Sequence, residues 1–199
     1  MKRWIRALCG GLVLCLGLSV CDFAGECEAI RSQMLRLHIL ANSDSEEDQA
    51  LKLQVRDAVV EAAAGMLDGS EDAQEAADLA EAQLERLRTV AEETVRRAGY
   101  DYPVTAERCR MYFTAREYGA VTLPAGEYEA IRFVIGSGEG HNWWCVLFPP
   151  LCVSAATEHK TAADVLTDTQ EDIVTSPQRY TVRLKVVEWW EELCRRLAS

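Results

Sequence analysis

The chain has 199 residues, enough for one domain with a sizeable core, and it carries 32 acidic against 21 basic residues for a net charge of −11. Such an excess repels phosphate backbones and anionic lipid head groups, so neither nucleic acid nor an anionic lipid surface is expected as a direct partner. No internal repeat or low-complexity linker divides it.

In chain order, Lys2, Arg3 and Arg6 come first, and no acidic residue precedes Asp22. From Ala7 to Cys21 every residue is apolar or small. A positive start and an apolar run of this length are the layout of a secretory signal, so residues 1–21 read as a signal peptide or N-terminal membrane anchor. The run is short of the ~20 residues a spanning helix usually needs, although Trp4 and Ile5 extend it, and a membrane tether through residues 4–21 is the alternative to cleavage. Ser19-Val20-Cys21 offers small residues for cleavage after Cys21. Val20 stands where a lipoprotein box carries Gly, Ala or Ser, which disfavours lipidation. Five cysteines follow the leader: Cys27, Cys109, Cys145, Cys152 and Cys194. That number is odd, so complete intramolecular pairing is impossible.

Beyond the leader, Leu35, Leu37 and Ile39 alternate with Arg36 and His38 within 34–41, which predicts a strand. Ser45 with Asp48 approximates a capping box, and Leu51, Val55, Val59 and Met66 recur at helical spacing over 46–67. Gly69 breaks this helix and Ser70 is the expected cap of the next, over 71–98. Its alanines permit close approach, so the two helices should form a hairpin, with Gly99 as the stop. Strands are expected over 104–113, 127–135 and 143–148, with turns at Tyr118-Gly119 and Leu123–Gly126. Pro149-Pro150 ends the last strand. Residues 155–175 are polar and weakly patterned. Pro177 opens a final helix whose expected apolar stripe is Tyr180, Leu184, Val187, Trp190, Leu193 and Leu197. The expected architecture is α+β: a single domain with an N-terminal strand, an alanine-rich helical hairpin, a small mostly antiparallel sheet and a C-terminal amphipathic helix. Its parts are the leader (1–21), the α+β body (30–154), and the polar segment with the last helix (155–199).

Several motifs invite chemistry. Gly136-x-Gly138-x-Gly140 follows a strand, but phosphate loops need a helix N-terminus next, and none is signalled. His141, Cys145, Cys152 and His159 are spaced too widely for a zinc finger. An exported setting favours a Cys145–Cys152 disulfide across the prolines instead. A Cys145 nucleophile with His141 as base would need contact, whereas strand geometry sets the two about 13 Å apart. No metal, cofactor or catalytic residue is therefore expected. Trp143 and Trp144 point to opposite faces of a strand, one toward the core and one able to anchor a protein partner.

Two long blocks carry more than composition does. Residues 35–59 (LRLHILANSDSEEDQALKLQVRDAV) and 123–152 (LPAGEYEAIRFVIGSGEGHNWWCVLFPPLC) resemble, in order and separation, the two signatures of the stage II sporulation protein R family. The resemblance implies a protein made in the forespore and secreted across its membrane into the intermembrane space. There it would act on a membrane-embedded sigma-E factor-processing aspartic peptidase, leading to processing of pro-sigma-E. It implies no enzyme and supplies no catalytic residues. On this reading the partner-binding candidates are Arg36, His38, Asn42 and Asp44 near the end of the first strand, with Gly138, His141, Asn142, Trp143 and Trp144. The rival expectations are an exported hydrolase using His141, Cys145 or Glu129, and a module that binds cell-wall material.

Overall fold

The computed structural model describes residues 2–118, 121–150 and 165–198. Helix α1 (Lys2–Ser32) takes in almost all of the segment expected to be a leader and runs 11 residues past Cys21. Sequence reading assigns no element to that extension. Strand β1 (Leu35–Leu40) comes next, then α2 (Glu46–Leu67), both at their expected places. Half of the capping box forms: the Ser45 hydroxyl accepts from the Asp48 N–H at 3.1 Å, but the Ser45 N–H donates to the Ser43 hydroxyl at 3.2 Å and not to Asp48, while Glu46, Glu47 and Asp48 fill the first turn.

The expected helix over 71–98 is two helices, α3 (Ala73–Ala82) and α4 (Leu84–Arg97), joined at Gln83. Its cap is Asp72, which accepts from the Glu75 N–H at 2.8 Å, and not Ser70, which is buried. The break lets Ala73, Ala76, Ala77 and Ala80 of α3 be buried together, while Leu87, Ala91 and Val95 of α4 face α2. A straight helix would carry one continuous stripe. Gly99 stops α4 as expected, at φ +89°, with the Tyr100 N–H bonded to the Val95 carbonyl at 3.1 Å.

Strands β2 (Val104–Phe113), β5 (Gly126–Ile135) and β6 (Asn142–Phe148) match expectation within a residue. Between β2 and β5 lies a small pair, β3 (Arg116–Tyr118) antiparallel to β4 (Val121–Leu123), so Leu123 ends a strand and does not open a turn. Residues 119 and 120 lie outside the described set. Two helices close the described chain, α5 (Asp168–Thr175) and α6 (Pro177–Ala198), the latter starting at Pro177 as expected.

The main sheet has the order β2-β5-β1-β6. β1 pairs antiparallel with β6 and parallel with β5. Ion pairs join β2 to β5 in opposite chain order, Glu107–Arg132 at 2.7 Å, Arg108–Glu129 at 3.1 Å and Arg110–Glu127 at 3.2 Å, as an antiparallel pair requires. The class is α+β with a mostly antiparallel sheet, as expected. Its parallel β1–β5 pair is made across a long connection of three helices and strands β2 to β4, and short hairpins cannot make such a pairing.

The chain forms two compact units, one of Ser32–Tyr112 and Glu127–Thr167, the other of Met1–Arg31, Phe113–Gly126 and Asp168–Ser199. In the first, which we call the sheet unit, Leu35, Leu37, Ile39, Ile131, Phe133, Ile135, Cys145 and Leu147 line one sheet face. They pack with the buried sides of α2, α3 and α4. In the second, the helical unit, Phe23, Cys27 and Ile30 of α1 are buried, and the Arg31 guanidinium donates to the Ala125 carbonyl at 2.9 Å. Among the described residues no helix is long and apolar enough to cross a membrane.

Candidate functional site

At one end of the sheet unit two loops interlock: residues 41–45, between β1 and α2, and residues 136–141, between β5 and β6. Strand pairing puts them together, since β1 has β5 on one side and β6 on the other. The contact is dense in hydrogen bonds. Asn42 accepts the Ser137 N–H on its side-chain oxygen at 3.0 Å, and its carbonyl accepts from the Ser137 hydroxyl at 2.7 Å and the Glu139 N–H at 3.2 Å. The Gly140 N–H donates to the Ala41 carbonyl at 3.0 Å. Asn42 reaches the other way through its amide, which donates to Asp48 at 2.8 Å, and the Ser43 hydroxyl donates to the same carboxylate oxygen at 2.5 Å. These donors hold the buried Asp48 carboxyl below its usual range, the Ser43 hydroxyl most of all.

The glycines of 136–140 serve this packing. A Cβ on Gly140 would lie 2.2 Å from the Ser43 carbonyl oxygen, and one on Gly138, at φ +68°, would lie 2.4 Å from Val134 Cγ1. The motif is a device for close backbone approach, and it leads into β6 with no helix to receive a phosphate.

Across the top of the interlock, Asp44 accepts the His141 N–H at 2.6 Å and also pairs with the His141 ring through Nδ1. His141 is what chiefly holds the Asp44 carboxyl below its usual range. Both side chains are exposed, 79% for His141 and 54% for Asp44. Below them the buried Lys52 ammonium donates to the His141 carbonyl at 2.8 Å and to Gln49 at 2.5 Å, and burial lowers its pKa.

The other candidates lie deeper. Arg36 is fully buried, its Nε donating to the Cys145 carbonyl at 3.0 Å and its guanidinium 4.8 Å from the centre of the Tyr128 ring. His38 is buried and stacked on the half-buried Trp144, with ring centroids 4.1 Å apart. Neither of its ring nitrogens has a hydrogen-bond partner among the described residues. Burial pushes its pKa down to about 4, and Arg132 adds to the shift. The Asn142 side chain opposes it without reaching hydrogen-bond geometry. Trp143, on the other face, packs against the core, with the Arg56 guanidinium 4.5 Å from its ring centre.

Of the nine residues singled out from sequence, Asp44, His141 and Asn142 are thus exposed at one rim. Asn42 and Gly138 build that rim; behind it Arg36, His38 and Trp144 lie on one face of the sheet and Trp143 on the other. Sequence reading missed Ser43, Gln49, Lys52 and Ser137. The spacing of Asp48, Gln49 and Lys52 on one side of the first turns of α2 is the signal that could have found them.

The enzymatic constellations are not assembled among the described residues. His141 is exposed on the loop, whereas Cys145 is buried in the core and disulfide-bonded. Glu129 is held by Arg108. Cys152, the expected disulfide partner, and His159 lie outside the described residues. Among those described, no cluster of three or more His, Cys, Asp or Glu side chains could hold a metal.

The interlocked loops come from the two blocks singled out in the sequence, and comparison with known proteins picks out the same region. Residues 31–158 match the family model described as stage II sporulation protein R (spore_II_R). The stage II sporulation protein R of Bacillus subtilis (strain 168) is 42% identical over 123 residues, which is 62% of this chain and 55% of that protein. The match thus spans about half the length of that relative. No solved structure matches the chain. Since the family model covers well over half of the sequence and includes both loops of the rim, the chain belongs to the stage II sporulation protein R family.

Proposed function

We propose that this protein is a secreted, non-enzymatic signal of sporulation, which activates a membrane-embedded aspartic peptidase and so leads to processing of pro-sigma-E. Its leader, cleaved or retained as a tether, carries it across the forespore membrane into the intermembrane space. Contact with the peptidase is made by the rim of the sheet unit. Asp44, His141 and Asn142 present polar groups there, and Trp143 and Trp144 stiffen the strand behind them.

The observation that carries this reading is the interlock itself. Two blocks separated by 63 residues of sequence are joined by backbone and side-chain hydrogen bonds into one small exposed surface. A surface held so closely is pre-organised for recognition, which lowers the ordering cost of binding. Polar exposed groups over a rigid aromatic layer suit a partner that must be oriented as well as held.

The test is a reconstituted assay in which the peptidase and pro-sigma-E share a membrane and the full chain is added to the opposite side. Pro-sigma-E should be cleaved only when the chain is present. Combined Asp44→Ala, His141→Ala and Asn142→Ala should cut the rate at least about tenfold, the effect of losing ~1.4 kcal/mol of binding. Cleavage at the unaltered rate would remove the rim as the contact surface. Cleavage independent of the chain would remove the proposal as a whole.

A further inference from the structure

Helix α6 has two apolar faces, and only one is covered within the helical unit. At about 100° per residue, Tyr180, Leu184 and Val187 share an arc. Val187 is buried, Leu184 and Tyr180 are half-buried, and Tyr180 stacks on Phe23 of α1 with ring centroids 5.6 Å apart. Val182, Val186, Trp189 and Leu193 fall on a second arc at i, i+4, i+7 and i+11, with Trp190 and Leu197 beside them. Apart from the half-buried Leu193, this outer stripe stands in solvent: Val182 is 77% exposed, Trp189 64%, Trp190 56% and Leu197 79%. The single stripe expected from sequence is therefore divided, with Tyr180, Leu184 and Val187 docked and Trp190 and Leu197 outside.

What the stripe is made of selects its occupant. Two adjacent tryptophans, each with an apolar ring and a polar N–H, are side chains that favour the head-group level of a bilayer. Arginines border the stripe on the helical projection, Arg196 along one edge and Arg179 and Arg183 along the other, while Glu188 and Glu192 lie further round. From Pro177 to Ala198 five basic residues face three acidic ones, the reverse of the balance in a chain whose net charge is −11. The border cations are held only at the surface, Arg179 on the half-buried Asp172 at 3.3 Å, Arg196 on the half-buried Glu192 at 2.9 Å and Arg183 over the Phe23 ring at 5.9 Å. Surface pairs of this kind are worth little, so lipid phosphates can take over the arginines. Acidic charge elsewhere on the chain is screened beyond a Debye length of about 8 Å. Pairing with a second copy fits less well. With arginines along both edges, a two-fold contact between two stripes sets cation against cation.

We propose that the outer face of α6 is a membrane-docking surface, which lies in the plane of an anionic bilayer with Val182, Val186, Trp189, Trp190 and Leu197 at the boundary between head groups and acyl chains. The surface shares no residue with the rim at Asp44 and His141, so it stands or falls independently of the proposed function. In the intermembrane space it would confine the protein to a membrane plane without a spanning helix.

The test uses the full chain carrying Trp4→Phe, which silences the tryptophan of the leader. Unilamellar phosphatidylcholine vesicles containing about one-third phosphatidylglycerol should bind it, and pure phosphatidylcholine should bind it more weakly. Brominated lipids should quench part of the tryptophan fluorescence, and Trp189→Phe with Trp190→Phe should abolish that quenching. Val186→Asp with Trp189→Asp should lower the partition coefficient at least about tenfold, with the circular dichroism spectrum unchanged. Quenching that survives the double Phe substitution would overturn the proposal, since α1 or another segment would then be the contact. So would a dimer in lipid-free solution that Val186→Asp with Trp189→Asp dissociates, because a second copy would then cover the stripe. Should the Asp variant unfold, the Phe variant decides the matter alone.

Discussion

The side-chain oxygen of Asn42 occupies the space that a Cβ on Gly136 would need, only 2.2 Å from it. Gly136 also sits at φ +61°, where an L side chain is strained. Gly136→Ala should therefore cost about 2–4 kcal/mol, the strain of the backbone adding to displacement of Asn42 from Ser137 and Asp48. Gly140→Ala should cost a similar amount, because its obstacle is a backbone carbonyl that cannot rotate away. Urea titration of each variant measures this. A loss under about 0.5 kcal/mol in both would mean that the loops are not packed as described.

His38 should make stability fall in mildly acidic solution. Its pKa is 6.5 when unfolded and about 4 when folded, because burial disfavours the charged ring. Above pH 6.5 both states are neutral and the residue costs nothing. Between pH 6.5 and 4 the unfolded chain binds a proton that the folded chain does not, so up to about 3 kcal/mol of stability is lost as pH falls. Asp44 and Asp48, whose folded pKa values are depressed, lose their contributions at still lower pH. His38→Phe keeps a ring on Trp144 and should flatten the upper part of the profile. Superimposable profiles for the two proteins between pH 7 and 4.5 would show that His38 is not buried as described.

Arg108 joins three carboxylates, Asp78 at 2.8 Å, Glu81 at 2.9 Å and Glu129 at 3.1 Å, and so ties α3 to the sheet. These partners raise its pKa further above the ordinary arginine value, Asp78 foremost. All three acids are substantially exposed, so solvent screening discounts each pair. Arg108→Ala should cost about 1–2 kcal/mol at low salt, since it also leaves three negative charges close together. The loss should shrink in about 1 M salt, where the Debye length is near 3 Å. A loss independent of salt would point to packing by the side-chain stem instead.

Asp44 and His141 offer the sharpest separation between scaffold and surface. Their pairing is exposed, so Asp44→Ala or His141→Ala should leave the urea midpoint almost unchanged. Under the proposed function each should nevertheless weaken peptidase activation several-fold. Stability and activation falling together by large factors would mean that the pair supports the rim rather than forming the contact.

Much of the molecule was legible from local signals. The caps at Ser45 and Gly99, the alternation at Leu35, Leu37 and Ile39 and the proline at 177 each place an element through short-range chemistry. Local signals misled where two answers were locally equivalent. Residues 71–98 are good helix formers throughout, so the break at Gln83 shows only when α3 must bury its alanines. Arg36 and His38 look like the wet side of a strand, because an arginine and a histidine usually are. The tertiary pairing makes β1 central, flanked by β5 and β6, and both residues are buried with it.

The sequence by itself determined most of the elements and the membership of a family, because capping, periodicity and two long signatures are properties of neighbouring residues. Only the tertiary structure decided which of those residues meet. The parallel pairing of β1 with β5 brings Asn42 to Ser137 and Asp44 to His141, contacts across 95 and 97 residues that no local pattern encodes. It also decided what the glycine-rich run packs against, since the space a Cβ on Gly140 would need is filled by the Ser43 carbonyl of the other loop. The physical reason is the same in each case: long-range register is set by the burial of whole faces, and burial is a property of the assembled chain.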